Sequence, residues 1–207
     1  LARSVASLLA TVALAATSLL LASAPAQAVA PAAPTINSIT AGNAQLSVAF
    51  TAPDPGDSAI TTYQYTTNGG TTWKTRQTGT TASPLVITSV STAATALANG
   101  TAYSVAVRAV NAKGSGASSN FVSGTPATVP GAPTSPTAVA GSGSATVSWT
   151  APASNGGAAI SSYTVTSSGP GLTCTSATTS CTVTGLTAGG GYTFTAKATN
   201  SAGSSAA

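Results

Sequence analysis

The sequence predicts an all-β protein made of two tandem copies of one small domain, and three observations carry that prediction. Short runs alternate apolar and polar residues with a period of two. Turn-forming Gly, Asn and Pro separate those runs. An ordered set of residues recurs 89–100 positions further along the chain.

The alternation is clearest in Leu46, Val48 and Phe50, interleaved with Gln45, Ser47 and Ala49. Val105, Val107 and Ala109 repeat it, as do Tyr192, Phe194, Ala196 and Ala198 around Thr193, Thr195 and Lys197. Successive side chains of a strand point to opposite faces, so such runs read as half-buried strands. Gly42-Asn43, Pro55-Gly56, Asn68-Gly69-Gly70 and Asn155-Gly156-Gly157 supply the turns between them. Short strands at regular spacing indicate a sandwich or a barrel. Each copy, about 90 residues long, is large enough to bury its own core.

The duplication is legible residue by residue. Pro31 and Pro34 match Pro130 and Pro133, and sixteen residues later Phe50-Thr51-Ala52-Pro53 matches Trp149-Thr150-Ala151-Pro152. Ile60 and Tyr63 match Ile160 and Tyr163; Leu97 and Tyr103 match Leu186 and Tyr192; Asn111 and Gly114 match Asn200 and Gly203.

Composition excludes much chemistry. The 207 residues contain no His and no Met, and Asp54 and Asp57 are the only side-chain carboxylates. Without His or Glu, the usual proton shuttles and imidazole metal ligands are missing, so no catalytic, cofactor or metal site is expected. Ser and Thr supply 66 positions. The net charge of +4 reflects scarce acids, and Arg3, Lys74, Arg76, Arg108, Lys113 and Lys197 are scattered along the chain. Phosphate capture needs cations gathered on one face, so no nucleic-acid partner is expected.

Residues 1–28 read as a signal peptide. Arg3 precedes an apolar run from Val5 to Ala22, and Ala26 and Ala28 fit the small-residue pattern of a cleavage site after Ala28. A membrane anchor of similar length is the competing reading, but Pro25 and the absence of a basic stop-transfer cluster favour cleavage. The expected location is therefore secreted, extracellular or cell surface, with no membrane span after cleavage. In that oxidising compartment Cys174 and Cys181 are expected to form a disulfide closing a hairpin after the third strand.

The ordered set P-x-x-P, Trp or Phe with Thr-Ala-Pro, I-x-x-Y, L-x5-Y and N-x-x-G resembles fibronectin type III domains, in both copies. The Thr/Ala/Gly-rich texture resembles the versions in secreted proteins of high-GC Gram-positive bacteria. The resemblance implies two seven-stranded, immunoglobulin-like β-sandwiches, over residues 29–126 and 127–207. It implies a structural core of Phe50, Tyr63, Tyr103, Trp149, Tyr163 and Tyr192. In that core Trp149 lies on the second strand, Tyr192 lies on the sixth, and Tyr103 and Tyr192 are corner tyrosines whose hydroxyls bond backbone. Phe50 stands where the family usually has Trp, and the extra length between Ile60 and Leu97 is expected around the third and fourth strands. The Arg-Gly-Asp tripeptide of some animal members is absent after the sixth strand, so integrin binding does not carry over. Matching Asn200 to Asn111 places Ala207 opposite Ser118, ahead of Phe121-Val122-Ser123. The second copy is therefore expected to lack its last strand, as part of a longer protein.

Few residues suggest a ligand. Asp54 and Asp57 share one loop but offer too few oxygens for Ca²⁺, and read as a solvated turn. Asn99-Gly100-Thr101 reads as a turn. Tyr63 and Tyr65 share one face of a strand and read as core. Trp73, flanked by Lys74 and Arg76, either stacks on a sugar ring or folds over a sheet edge that the cations guard. The expected function is that of non-catalytic structural, adhesive or spacer modules, monomeric, facing cell-wall or environmental polysaccharide or another extracellular protein. The alternative is the carbohydrate-associated region of a glycoside hydrolase whose catalytic domain lies elsewhere.

Overall fold

The computed structural model describes residues 29–77 and 79–207, and the expected leader lies outside the described residues. Every regular element among them is a β-strand. No helix there is long and apolar enough to cross a membrane.

The first sandwich contains β1 (Thr35–Gly42), β2 (Gln45–Thr51), β3 (Thr62–Thr66), β4 (Lys74–Thr75), β5 (Leu85–Ile87), β6 (Tyr103–Asn111), β7 (Gly114–Ser118) and β8 (Val122–Gly124). One sheet has the order β1-β2-β5 and the other β4-β3-β6-β7, with β8 pairing the start of β6. The second sandwich repeats the plan with β9 (Thr134–Gly141), β10 (Ser144–Thr150), β11 (Ser162–Ser167), β12 (Thr173–Ser176), β13 (Ser180–Thr184), β14 (Phe194–Asn200) and β15 (Gly203–Ser204). Its sheets run β13-β10-β9 and β12-β11-β14-β15.

The alternating runs bury the faces the sequence marks. Leu46, Val48 and Phe50 of β2 pack across the sandwich against Tyr63, Tyr65, Val105, Val107 and Ala109. Ala145, Val147 and Trp149 of β10 do the same with Tyr163, Val165, Ala196 and Ala198. Each core is centred on one tilted aromatic pair: Phe50 with Tyr63 at 4.6 Å and Trp149 with Tyr163 at 5.4 Å between ring centres. Burying each such ring contributes about 1.5–3 kcal/mol. The swap to Phe50 has a chemical logic, since Trp149 Nε1 is buried with no partner and Phe50 carries no such donor.

Both corner tyrosines form as the resemblance implies. Tyr103 Oη accepts the Ala98 N–H at 3.0 Å and Tyr192 Oη accepts the Thr187 N–H at 3.0 Å. Their placement differs slightly, because Tyr103 opens β6 whereas Tyr192 stands two residues ahead of β14. The extra length of the first copy lies in residues 67–73, 76–84 and 88–96, around β4 and β5.

Two expectations are corrected. Cys174 and Cys181 are bonded, but their strands do not form a hairpin: β12 pairs β11 and β13 pairs β10, so the bridge joins the two sheets. The loop Ala177–Thr179 is a crossover at the sandwich edge. The last strand of the second copy is also partly present. β15 pairs with the end of β14, and Ser205 just after it bonds β14 as Ser119 bonds β6, two residues nearer the turn. Ser119 bonds the N–H and C=O of Val107, and Ser205 bonds the N–H and C=O of Ala198 in the same pattern. Only a counterpart of β8 is missing among the described residues.

Candidate functional site

Trp73, the one candidate ligand-stacking aromatic, sits immediately before β4 and is half-buried. Its ring is capped by Arg108, whose guanidinium carbon lies 4.3 Å from the ring centre. Arg108 arrives there because β3 pairs β6 with Gln64 directly opposite it. Arg108 Nε donates to Gln64 Oε1 at 2.7 Å, and Ser115 Oγ donates to the same oxygen at 3.3 Å. Partial burial lowers the guanidinium's pKa from its ordinary value. Lys74 and Arg76, on either side of Thr75 at the β4 sheet edge, hold loop groups. Lys74 Nζ donates to Ser89 Oγ and Ala93 O, and Arg76 donates to Ala82 O and Pro84 O. Arg108 is the residue that sequence reading missed. Its signal was its polar position in the Val105–Ala109 alternation, opposite a strand bearing Tyr63 and Gln64.

Asp54 and Asp57 lie in the loop between β2 and β3 and make backbone contacts. Asp54 Oδ1 accepts the Gly56 N–H at 2.9 Å, and Asp57 Oδ2 accepts the Val29 N–H at 2.7 Å. Among the described residues, no group of three His, Cys, Asp or Glu side chains could hold a metal ion.

Two concave regions remain. A groove of about 260 Å³ opens between β9 and the approach to β14, lined in part by Ala138, Ala140, Ala145, Leu186 and Phe194. In the first sandwich β8 fills the corresponding space: a Cβ on Gly124 would fall 2.9 Å from Leu46 Cδ1 and 3.1 Å from Ile39 Cγ2. The groove is thus a strand-sized gap rather than a pocket shaped for a small ligand. The other region lies at the junction of the sandwiches, between Asn99–Thr101 and Ser154–Gly157.

That junction is built from backbone. Gly100 N–H donates to Pro126 O, Ala127 N–H to Gly42 O, and Thr128 N–H to Gly156 O, at 2.8–3.1 Å. Gly157, at φ +91°, meets the first sandwich so closely that a Cβ there would fall 2.4 Å from Gly100 N. Asn200 Nδ2 donates to Thr128 O at 2.8 Å and to Asn155 O at 2.7 Å. Asn111 treats the start of the first sandwich alike, donating to Val29 O at 3.2 Å and Pro55 O at 2.8 Å.

The fibronectin type III family model matches residues 30–125 and again 131–207. The chain belongs to the fibronectin type III family. Among solved structures, domains A168–A170 from titin are similar at 19% identity and a TM-score of 0.53, over 84% of this chain and 57% of that one. The FN1–FN3 domains of chicken CNTN1 are similar at 18% identity and a TM-score of 0.51, over 86% of this chain and 63% of that one. The chain therefore spans less than two thirds of each of these two structures, and the likeness at these identities is one of fold. No curated protein matches the chain. Fibronectin type III domains are typically non-catalytic modules.

Proposed function

We propose that this chain is an exported, non-catalytic spacer that holds attached parts at a set separation outside the cell. The observation that carries the reading is the junction. Pro126, Ala127 and Thr128 are tied by backbone hydrogen bonds to both sandwiches, and Gly157 packs against Gly100 with no room for a side chain between them. A linker pinned in this way transmits position, which a string of freely jointed domains does not. The Ser/Thr-rich, charge-poor surface suits a module that stands in solvent without recruiting charged partners.

The carbohydrate-associated reading is the weaker one, because Arg108 already stacks on one face of the Trp73 ring. Two measurements on residues 29–207 test the choice. Spin labels placed near the two ends should give one narrow distance distribution, and passage over insoluble polysaccharides should give no retention. A broad distribution overturns the spacer reading. Retention that is lost on Trp73→Ala replaces it with the carbohydrate-associated one.

A further inference from the structure

The two carboxylates of this chain do different work. Asp54 caps its own turn, binding the Gly56 N–H, while its carbonyl accepts the Ala32 N–H at 3.0 Å. Asp57 faces Val29 instead. Its Oδ2 accepts the Val29 N–H at 2.7 Å, and its own N–H donates to Val29 O at 3.3 Å. Asn111 Nδ2 grips that same carbonyl, and a Cβ on Gly56 would fall 2.5 Å from it. Val29 is therefore held at both its nitrogen and its oxygen, on a surface open to solvent.

The second sandwich repeats the grip with one difference. Thr128 corresponds to Val29, Asn200 to Asn111 and Gly156 to Gly56, but Gly157 stands where the first copy has Asp57. At Thr128 the chain runs on backwards into Ala127, so its nitrogen is an amide and meets a carbonyl, Gly156 O. A carboxylate is placed only where the sequence puts residue 29.

We propose that hydrolysis of the Ala28–Val29 bond makes Val29 the first residue, and that Asp57 then binds the new α-ammonium as an ion pair, locking the processed N-terminus onto the first sandwich. The proposal rests on the leader and export reading above. In the cleavage step an external peptidase adds water across the bond; Ala28 leaves as a carboxylate and the Val29 nitrogen takes up protons to become the ammonium. One neutral donor becomes a charged group with three donors, so the same contact turns into a charge-assisted pair. The unprocessed chain offers Asp57 an amide and no charge.

Two experiments separate the lock from the leader. The full chain is expressed behind an initiating Met in a secreting bacterium, and the exported protein is read by intact mass and N-terminal sequencing; Val29 is expected first. Separately, residues 29–207 are prepared with Val29 free or acetylated, each with and without Asp57→Asn. At low salt, acetylation or Asp57→Asn should lower the first sandwich's melting temperature by about 1–5 °C. The double change should cost no more than either alone, and 1 M NaCl should shrink the difference. Export with another N-terminus overturns the processing step. Additive losses in the second experiment overturn the lock, whatever the first one gives.

Discussion

The guanidinium carbon of Arg108 lies 4.3 Å from the centre of the Trp73 ring, so a cation from β6 closes the face of the aromatic that leads into β4. Gln64 holds that guanidinium in place through its Nε. A double-mutant cycle on Trp73→Ala and Arg108→Ala, followed by chemical unfolding, should return a coupling of about 0.5–1 kcal/mol. A coupling near zero would mean that the stack is a contact without energetic weight.

Cross-sheet bonding gives the disulfide a selective effect. Cys174 and Cys181 tie β12 to β13 in the second sandwich alone. Replacing both with Ser should destabilise that sandwich by about 2–2.5 kcal/mol in the chain-entropy account. Calorimetry should show its transition fall while the transition of the first sandwich stays in place. Equal shifts in both would contradict the assignment.

Alkaline pH should weaken the two sandwiches unequally. Burial pushes the Tyr63 phenol above the ordinary tyrosine value, with nearby Arg76 pulling it part of the way back. A raised folded pKa gives stability that is present below the unfolded value, about 10, and is lost as pH rises through the folded one. Tyr192 has the opposite sign, since its hydrogen bonds with Thr187 hold its phenol below the ordinary value. Its contribution is present above the unfolded value and lost as pH falls through the folded one. Melting curves between pH 8 and pH 11 should therefore show the first sandwich losing more stability than the second. Tyr63→Phe should remove much of that difference.

The junction predicts a decoupling mutation. Gly157→Ala places a methyl group against Gly100 N, at a backbone angle that L-residues seldom adopt. Each sandwich keeps its own core, so both melting transitions should survive. NMR relaxation should show one rotational correlation time for the parent and two shorter ones for the variant. A single unchanged time would overturn the backbone-docking account.

Much of this architecture is legible in the sequence because its signals are local. Leu46, Val48 and Phe50 announce their face by alternation, and Tyr103 and Tyr192 announce their corners by the Leu six residues earlier. The pairing of Cys174 with Cys181 is legible too. That the bond crosses between sheets is not, since strand partnership depends on β10 and β11, far away in sequence. Arg108 escapes notice for the same reason: its meaning comes from Gln64 across a ladder and Trp73 beyond it. Asp57 reads as a solvated turn until Val29, 28 residues away, is seen beside it.

Asn111 and Asn200 each reach back to the stretch of chain that leads into their own sandwich, and the Nδ2 of each donates to main-chain oxygens only. Such a clasp is indifferent to the side chains it holds, which here are Val29 in one case and Thr128 in the other. Mutation can therefore change the clasped residue itself, provided the length of the connecting stretch is kept. A duplicated gene segment spliced in frame would arrive with its own fastening, and that makes tandem growth an inexpensive evolutionary step for this architecture.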